Sequence, residues 1–214
     1  MDRIKAVLFD LDGTLTDTLE DIAAAMNRAL RMAGLTEWET EAYKYLVGNG
    51  VRILAERAVK GHSELTDRVQ REYQQWYEVH NTEHTAPYAG IPGLLRSLKE
   101  RGLKICVLSN KPDADTKNVV SRYFPEIMFD AVQGQVPGVP VKPDPAGALK
   151  MAETLGIEPR SFAYVGDTAV DMSCAVAAGM HPFGALWGFR TAGELTGSGA
   201  EMLLKAPEEL LRCL

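Results

Sequence analysis

Phe9-Asp10-Leu11-Asp12-Gly13-Thr14-Leu15, directly after the apolar stretch 4–9, is the run whose reading decides the fold. The stretch before it is apolar throughout except for Lys5 and ends at a glycine-containing turn, the pattern of a strand buried on both faces. The acids therefore emerge at a strand's carboxyl end. With the side-chain period of two continuing through Leu11, Asp10 and Asp12 go to one side and Leu11 points back into packed structure. Two carboxylates then share a small pocket, where repulsion keeps one of them protonated unless a cation intervenes. Gly13 lets the chain turn without a Cβ, and Thr14 adds a hydroxyl beside backbone amides. Asp-Gly is also an ordinary turn pair, so the reading depends on what the rest of the chain supplies.

The chain has 214 residues and a formal net charge of −6, and its Lys and Arg gather into no long run. That balance gives no electrostatic footprint for nucleic acid. No apolar stretch approaches the roughly 20 residues that span a bilayer. Met1-Asp2-Arg3-Ile4 leads straight into the first strand with no signal-peptide pattern, so a cytoplasmic protein with no membrane partner is expected. Cys106, Cys174 and Cys213 are far apart and form no Cys-x-x-Cys pair, and Cys106 reads as a buried small hydrophobe. His80 and His84 stand four apart without an obvious third ligand and read as surface histidines at a helix end.

After Thr14 the pattern turns helical. Asp17 or Thr18 caps an amino terminus, Glu20 or Asp21 completes a capping box, and Leu19, Ile22, Ala23, Met26 and Leu30 form an apolar stripe. Helical patterns continue over 43–47, 51–58 and 65–77, with the turn Gly48-Asn49-Gly50 between the first two. The aromatic residues of the last read as core. A block of this kind, inserted directly after the acidic turn, predicts a cap of residues 16–85 over a core made of 1–15 and 86–214.

The core pattern resumes with helices over 91–101, 113–123, 145–155 and 169–179 and strands over 103–108, 129–133, 162–165 and 182–186, with a sixth candidate at 202–204. Residues 191–199 read as a loop. Alternating strands and helices predict an α/β, doubly wound parallel sheet whose ligands sit beyond the carboxyl ends of the strands.

Those ends carry Asp10 with Asp12, Ser109 with Asn110, Lys142, and Asp167 with Asp171. Together they form the parts set for phosphoryl transfer through an aspartyl-phosphate. Asp10 attacks phosphorus, while magnesium and Lys142 neutralise the charge that repels an anionic nucleophile. Magnesium takes one or two carboxylates plus phosphate oxygens, and Asp167 supplies the second carboxylate. Ser109, Thr14 and the turn at Gly13 offer donors to phosphate oxygens. Asp12 protonates the leaving alcohol and then takes a proton from water. Asp171, four residues after Asp167, faces the same way at helical spacing.

The runs FDLDGTLTDT, LSNKP, KPDP and YVGDTAVD resemble the four motifs of the haloacid dehalogenase (HAD) superfamily, and the likeness covers the whole chain. Possession of Asp12 is similar to the magnesium-dependent phosphatase and phosphomutase branch. The resemblance implies a Rossmann-like HAD core with an inserted helical cap and Mg2+ as cofactor. It implies Asp10 as nucleophile, Asp12 as acid/base with its main-chain carbonyl on the metal, Asp167 as direct ligand and Asp171 behind it. Lys142 is implied as the stabilising cation, and Ser109 and Asn110 as phosphate binders.

A cap between the first and second motifs resembles the subgroup that contains phosphoglycolate phosphatase, as do Val47-Gly48-Asn49-Gly50, Ser109-Asn110-Lys111-Pro112 and Trp187-Gly188. This implies hydrolysis of a small phosphorylated metabolite, 2-phosphoglycolate first, by a monomer or homodimer. Pyrophosphatase, nucleotidase, sugar-phosphate phosphatase and β-phosphoglucomutase are alternatives on the same core. The cap turn is expected over the pocket, so Gly50 and Arg52 would meet the non-phosphate end of the substrate. Arg52 or Lys44 would supply the cation that a small acid requires, against a competing reading as exposed helix charges. A receiver-like phosphoacceptor module is the non-enzyme alternative, although it requires neither a large lid nor Asp12.

Overall fold

In the computed structural model, which describes residues 4–214, the opening strand β1 is Ala6–Phe9. The lead-in Met1-Asp2-Arg3 lies outside the described residues. Every side chain of β1 is buried, and alternation divides them between two cores. Val7 and Phe9, continued by Leu11, pack with Leu94, Leu98, Ile105 and Val119. Ala6 and Leu8 pack with Cys106, Met151, Phe162 and Cys174. A strand with no polar face belongs in the middle of a sheet, and β1 lies there.

Chain order sets out β2 (Thr16–Asp17), α1 (Leu19–Met32), α2 (Tyr43–Leu46), α3 (Val51–Ala58), α4 (Thr66–His80) and β3 (Ala86–Pro87). Next come α5 (Ile91–Glu100), β4 (Lys104–Pro112), α6 (Asp113–Tyr123), β5 (Ala131–Gln135), α7 (Ala146–Leu155) and β6 (Phe162–Gly166). The chain closes through α8 (Ala169–Ala178), β7 (His181–Ala185), α9 (Ala192–Gly197) and β8 (Met202–Leu204). Six parallel strands form one sheet in the order β5-β4-β1-β6-β7-β8. Helices α5 and α6 cover one face and α7 and α8 the other. The strand order reverses at β1, which opens a crevice at the carboxyl ends of β1, β4 and β6. Among the described residues no helix is long and apolar enough to cross a membrane.

Helices α1 to α4 share a third apolar cluster, joined from the sheet side by Phe189. Two crossings connect this block to the sheet, and they pair as antiparallel β2 and β3, Thr16 opposite Pro87 and Asp17 opposite Ala86. Asp21 fixes them further. Its buried carboxylate accepts from the backbone amides of His84 and Thr85, both at 2.9 Å, and from the Thr85 hydroxyl at 2.7 Å. The expected capping box on α1 therefore does not form: Thr18 makes no side-chain cap bond, while Asp17 accepts from Leu19 N at 3.2 Å. A long-range demand for acceptors at Thr85 outcompetes the local cap.

Two other differences from the sequence pattern have tertiary causes. β4 continues past Leu108 to Pro112 because Pro112 finds a second register against Gln135 of β5 after an irregularity. Residues 191–199 contain α9, whose amino end is capped by the Thr191 hydroxyl accepting from Glu194 N at 3.4 Å. Replacing Asp21 by Ala strands the backbone amides of His84 and the buried Thr85 and leaves the Thr85 hydroxyl only the Asn81 carbonyl at 3.3 Å, and is expected to cost about 2–4 kcal/mol in urea unfolding. A loss under about 0.5 kcal/mol would show that the crossings are held by other contacts.

Candidate active site

Asp10 leaves the end of β1 and meets Lys142, delivered by the loop before α7. The Lys142 ammonium donates to Asp10 Oδ1 at 2.6 Å, Asp171 Oδ1 at 2.7 Å and the Leu108 carbonyl at 3.0 Å. Its three hydrogens are thus all in use. Asp171 is equally committed: its second oxygen accepts from Thr168 N at 3.1 Å and the Thr168 hydroxyl at 2.7 Å, closing the capping box of α8. Asp167, fully buried, accepts from Phe189 N at 2.7 Å and the Thr14 hydroxyl at 3.2 Å.

Oxygens of Asp10, Asp167 and Asp171 lie within 4.8 Å of one another, an arrangement that can hold a metal ion. Burial, then the charge of Asp171, pushes Asp10 up to about 7 against the pull of Lys142. Burial, then Asp171 and Asp10, holds Asp167 well above the usual carboxylate range. Burial draws the Lys142 ammonium down, but Asp10 and Asp171 outweigh it and the net shift is upward. Three buried carboxylates around one ammonium leave a formal deficit of two positive charges, the charge of one divalent cation.

The remaining sequence candidates divide into those that line the cavity above Asp10 and those that do not. Ser109, Asn110 and Gly50 line it with Asp10, Asp12 and Lys142. The Asn110 side chain is a clamp: its amide donates to the carbonyls of Lys142 at 2.9 Å and Gly48 at 3.0 Å, and its oxygen accepts from Lys142 N at 2.9 Å. Gly13 and Thr14 sit behind the acids instead. Gly13 N donates to Thr16 O at 2.8 Å, Thr14 N to Leu11 O at 3.2 Å, and the Thr14 hydroxyl turns to Asp167. A Cβ on Gly13, which has φ +86°, would lie 2.3 Å from Asp167 Oδ2, so only glycine admits that carboxylate.

Arg52 does not reach the cavity. Its guanidinium lies on the outer face of α3 with Glu56 at 2.8 Å and Asp67, and Lys44 pairs with Glu41 at 2.8 Å. The expectation that either faces the substrate is not met, because each finds an acid on its own surface. His80 and His84 also stay outside, His80 stacked on Trp76 with ring centroids 3.6 Å apart. A cation quoted in the sequence only as part of Ser109-Asn110-Lys111-Pro112, with no role assigned, does reach the cavity. Lys111 lines the cavity and is 6% exposed. Its ammonium contacts Asp12 at 3.0 and 3.3 Å and the Tyr77 hydroxyl of α4. Burial draws Lys111 down, but Asp12 and neighbouring groups raise it overall. Its place directly after Ser109-Asn110 at a strand end was the available signal.

The family model for haloacid dehalogenase-like hydrolases matches residues 7–185. The chain is 34% identical to a phosphoglycolate phosphatase of Aquifex aeolicus across 99% of this chain and 97% of that protein. It is 36% identical to a phosphoglycolate phosphatase of Cereibacter sphaeroides across 81% of each. A crystal structure from Lactobacillus delbrueckii subsp. bulgaricus, described as a phosphoglycolate phosphatase candidate, superimposes with a TM-score of 0.91 at 27% identity over 99% of this chain and 98% of that one. CbbY of Rhodobacter sphaeroides, solved with phosphate, shares the fold with a TM-score of 0.77 at 23% identity over 97% and 96%. With the strand-end acids, the buried lysine and the sheet order already in place, these likenesses settle the family: the chain belongs to the haloacid dehalogenase-like hydrolases.

Proposed function

We propose that the chain is a magnesium-dependent phosphatase of small phosphate monoesters, acting on 2-phosphoglycolate through an aspartyl-phosphate on Asp10. The observation that carries this reading is the ammonium of Lys142 held 2.6 Å from Asp10, a buried carboxylate at a strand end that opens into a cavity. Relatives named phosphoglycolate phosphatase support the substrate. The cavity above Asp10 is walled on the cap side by Ile22, Val47, Val51 and Leu54 and closed from the core by Phe189, apolar surfaces that shield the reacting phosphate from water. A roofed cavity also argues against a receiver-like module, which must leave its phosphoacceptor open to a donor protein. Residues 16–85 serve as the cap on a core of 1–15 and 86–214, since the cavity walls come from both.

In the first half-reaction an Asp10 oxygen forms a bond to phosphorus and the ester P–O bond breaks, the departing alkoxide taking a proton from Asp12. Water then gives a proton to Asp12 and attacks phosphorus, releasing inorganic phosphate and restoring Asp10. Lys142 keeps Asp10 oriented and offsets charge on the transferring group. Ser109 lies beside the same space and offers a hydroxyl to phosphate oxygens. Asp10, Asp167 and the main-chain carbonyl of Asp12 would hold magnesium, with Asp171 behind them, matching the charge deficit of the acid cluster. Bound there, magnesium supplies the positive charge that phosphoryl transfer requires.

Asp10→Asn is expected to lower magnesium-dependent phosphate release by at least about a thousandfold, measured across 2-phosphoglycolate, pyrophosphate, nucleotides and sugar phosphates. Turnover equal to the wild type would sink the aspartyl-phosphate assignment. A second outcome concerns stability without magnesium. Asp10 titrates near 7 in the folded protein against 3.8 for an ordinary aspartate, so its contribution is full at acid pH and is lost as pH rises through 7. The melting temperature without magnesium should therefore be higher at pH 6 than at pH 8. Asp10→Asn should reduce that difference, leaving the part owed to the raised Asp167, and magnesium should raise the wild-type value more at pH 8. Magnesium shifts of equal size at both pH values would argue against a metal site on these acids.

A further inference from the structure

A carboxylate-bearing substrate needs a cation in the cavity for its acid group, and the surface charges on the cap do not provide it. Among the described residues that line the cavity, the cations are Lys142 and Lys111. Lys142 has each of its hydrogens committed to Asp10, Asp171 and the Leu108 carbonyl. Lys111 differs. It shares a lopsided grip on one carboxylate, 3.0 and 3.3 Å from the Asp12 oxygens, and its other partner is a neutral hydroxyl. The longer of those contacts is a weak use of an ammonium hydrogen, so a second carboxylate entering the cavity can take that donor.

We propose that Lys111, steadied from the cap by Tyr77, is the residue that recognises the carboxylate of a small phosphorylated acid in this cavity. The inference rests on the phosphoglycolate reading and assigns the residue that selects for it. Ile22, Val47, Val51, Leu54 and Phe189 give a carboxylate no hydrogen-bond donor from their side chains, and the hydroxyls of Tyr73, Ser109 and Thr168 are neutral, so the charge that matches a carboxylate comes from the lysine. Tyr77, fully buried in α4, approaches Lys111 both by its hydroxyl and by its ring face, 4.5 Å from the ammonium. The cap therefore sets where the charge stands, while the core supplies it.

The test compares kcat/KM for 2-phosphoglycolate with that for 2-hydroxyethyl phosphate, in which the carboxylate is replaced by a hydroxymethyl group. Wild type, Lys111→Met, Lys111→Gln and Tyr77→Phe are measured with magnesium, and thermal melts establish that each is folded. A charged hydrogen bond of this kind corresponds to a wild-type preference of about 10- to 150-fold for the acid. Lys111→Met and Lys111→Gln should bring the preference to within about threefold of unity, mainly through KM for the acid, whatever loss both substrates share. Tyr77→Phe should fall between. A preference that survives in both lysine variants, with equal losses on the two substrates, would overturn the proposal and leave Lys111 as a positioning residue for Asp12. A wild type with no preference for the acid would instead overturn the phosphoglycolate reading, and the proposal with it.

Discussion

The rest of the site depends on one ammonium group whose three hydrogens go to three separate segments of chain. Lys142 joins Asp10 at the end of β1, the Leu108 carbonyl in β4 and Asp171 at the start of α8. None of these contacts is local in sequence, so the group is assembled only when the sheet closes around β1. Buried this deeply, an unpaired ammonium or carboxylate would be prohibitively costly, and the mutual arrangement is therefore exacting. Even so, one cation does not balance three acids. The excess of acid is a property of the folded site, and it is what raises the Asp10 and Asp167 carboxyls above the usual range.

The helical block is attached to the core by polar groups rather than by a shared apolar seam. Its own cluster is separate from the two that cover the sheet, and Phe189 is the core side chain that enters it. Contact with the sheet passes instead through backbone carbonyls of the cap turn: Gly48 O receives Asn110 at 3.0 Å and Val47 O receives Arg190 at 3.1 Å. Asn110 also holds both backbone groups of Lys142. The side chain that seats the turn at Gly48 is therefore the one that fixes the loop carrying Lys142. Lys111 and Tyr77 make a second such link, next to Asp12. Cap seating and site geometry are coupled through the same few donors.

Period-two alternation in an apolar strand fixed where Asp10 and Asp12 emerge, and repetition of strand-end polar residues pointed to Ser109, Asn110, Lys142, Asp167 and Asp171 as one cluster. These features are local or depend on the order of elements, so they were legible from the chain alone. What each polar group binds is not local. Thr14, expected beside phosphate, gives its hydroxyl to Asp167, and Asp21, expected to cap α1, gives its carboxylate to Thr85. A donor in a folded protein goes to the acceptor that burial leaves most in need, and burial is known only after packing.

The sequence by itself determined the fold class, the helical insertion and the convergence of the strand-end acids with Lys142, because hydrophobic period and residue order decide which strand ends meet. Tertiary structure alone decided which cations remain for a substrate. Arg52 and Lys111 are both single basic residues beside glycine- or asparagine-rich turns, and nothing in their local patterns ranks one above the other. Packing turns Arg52 outward to Glu56 and Asp67 and encloses Lys111 between Asp12 and Tyr77. The physical reason is that exposure and partner choice are properties of the closed surface, where α4 of the cap meets the end of β4 of the core.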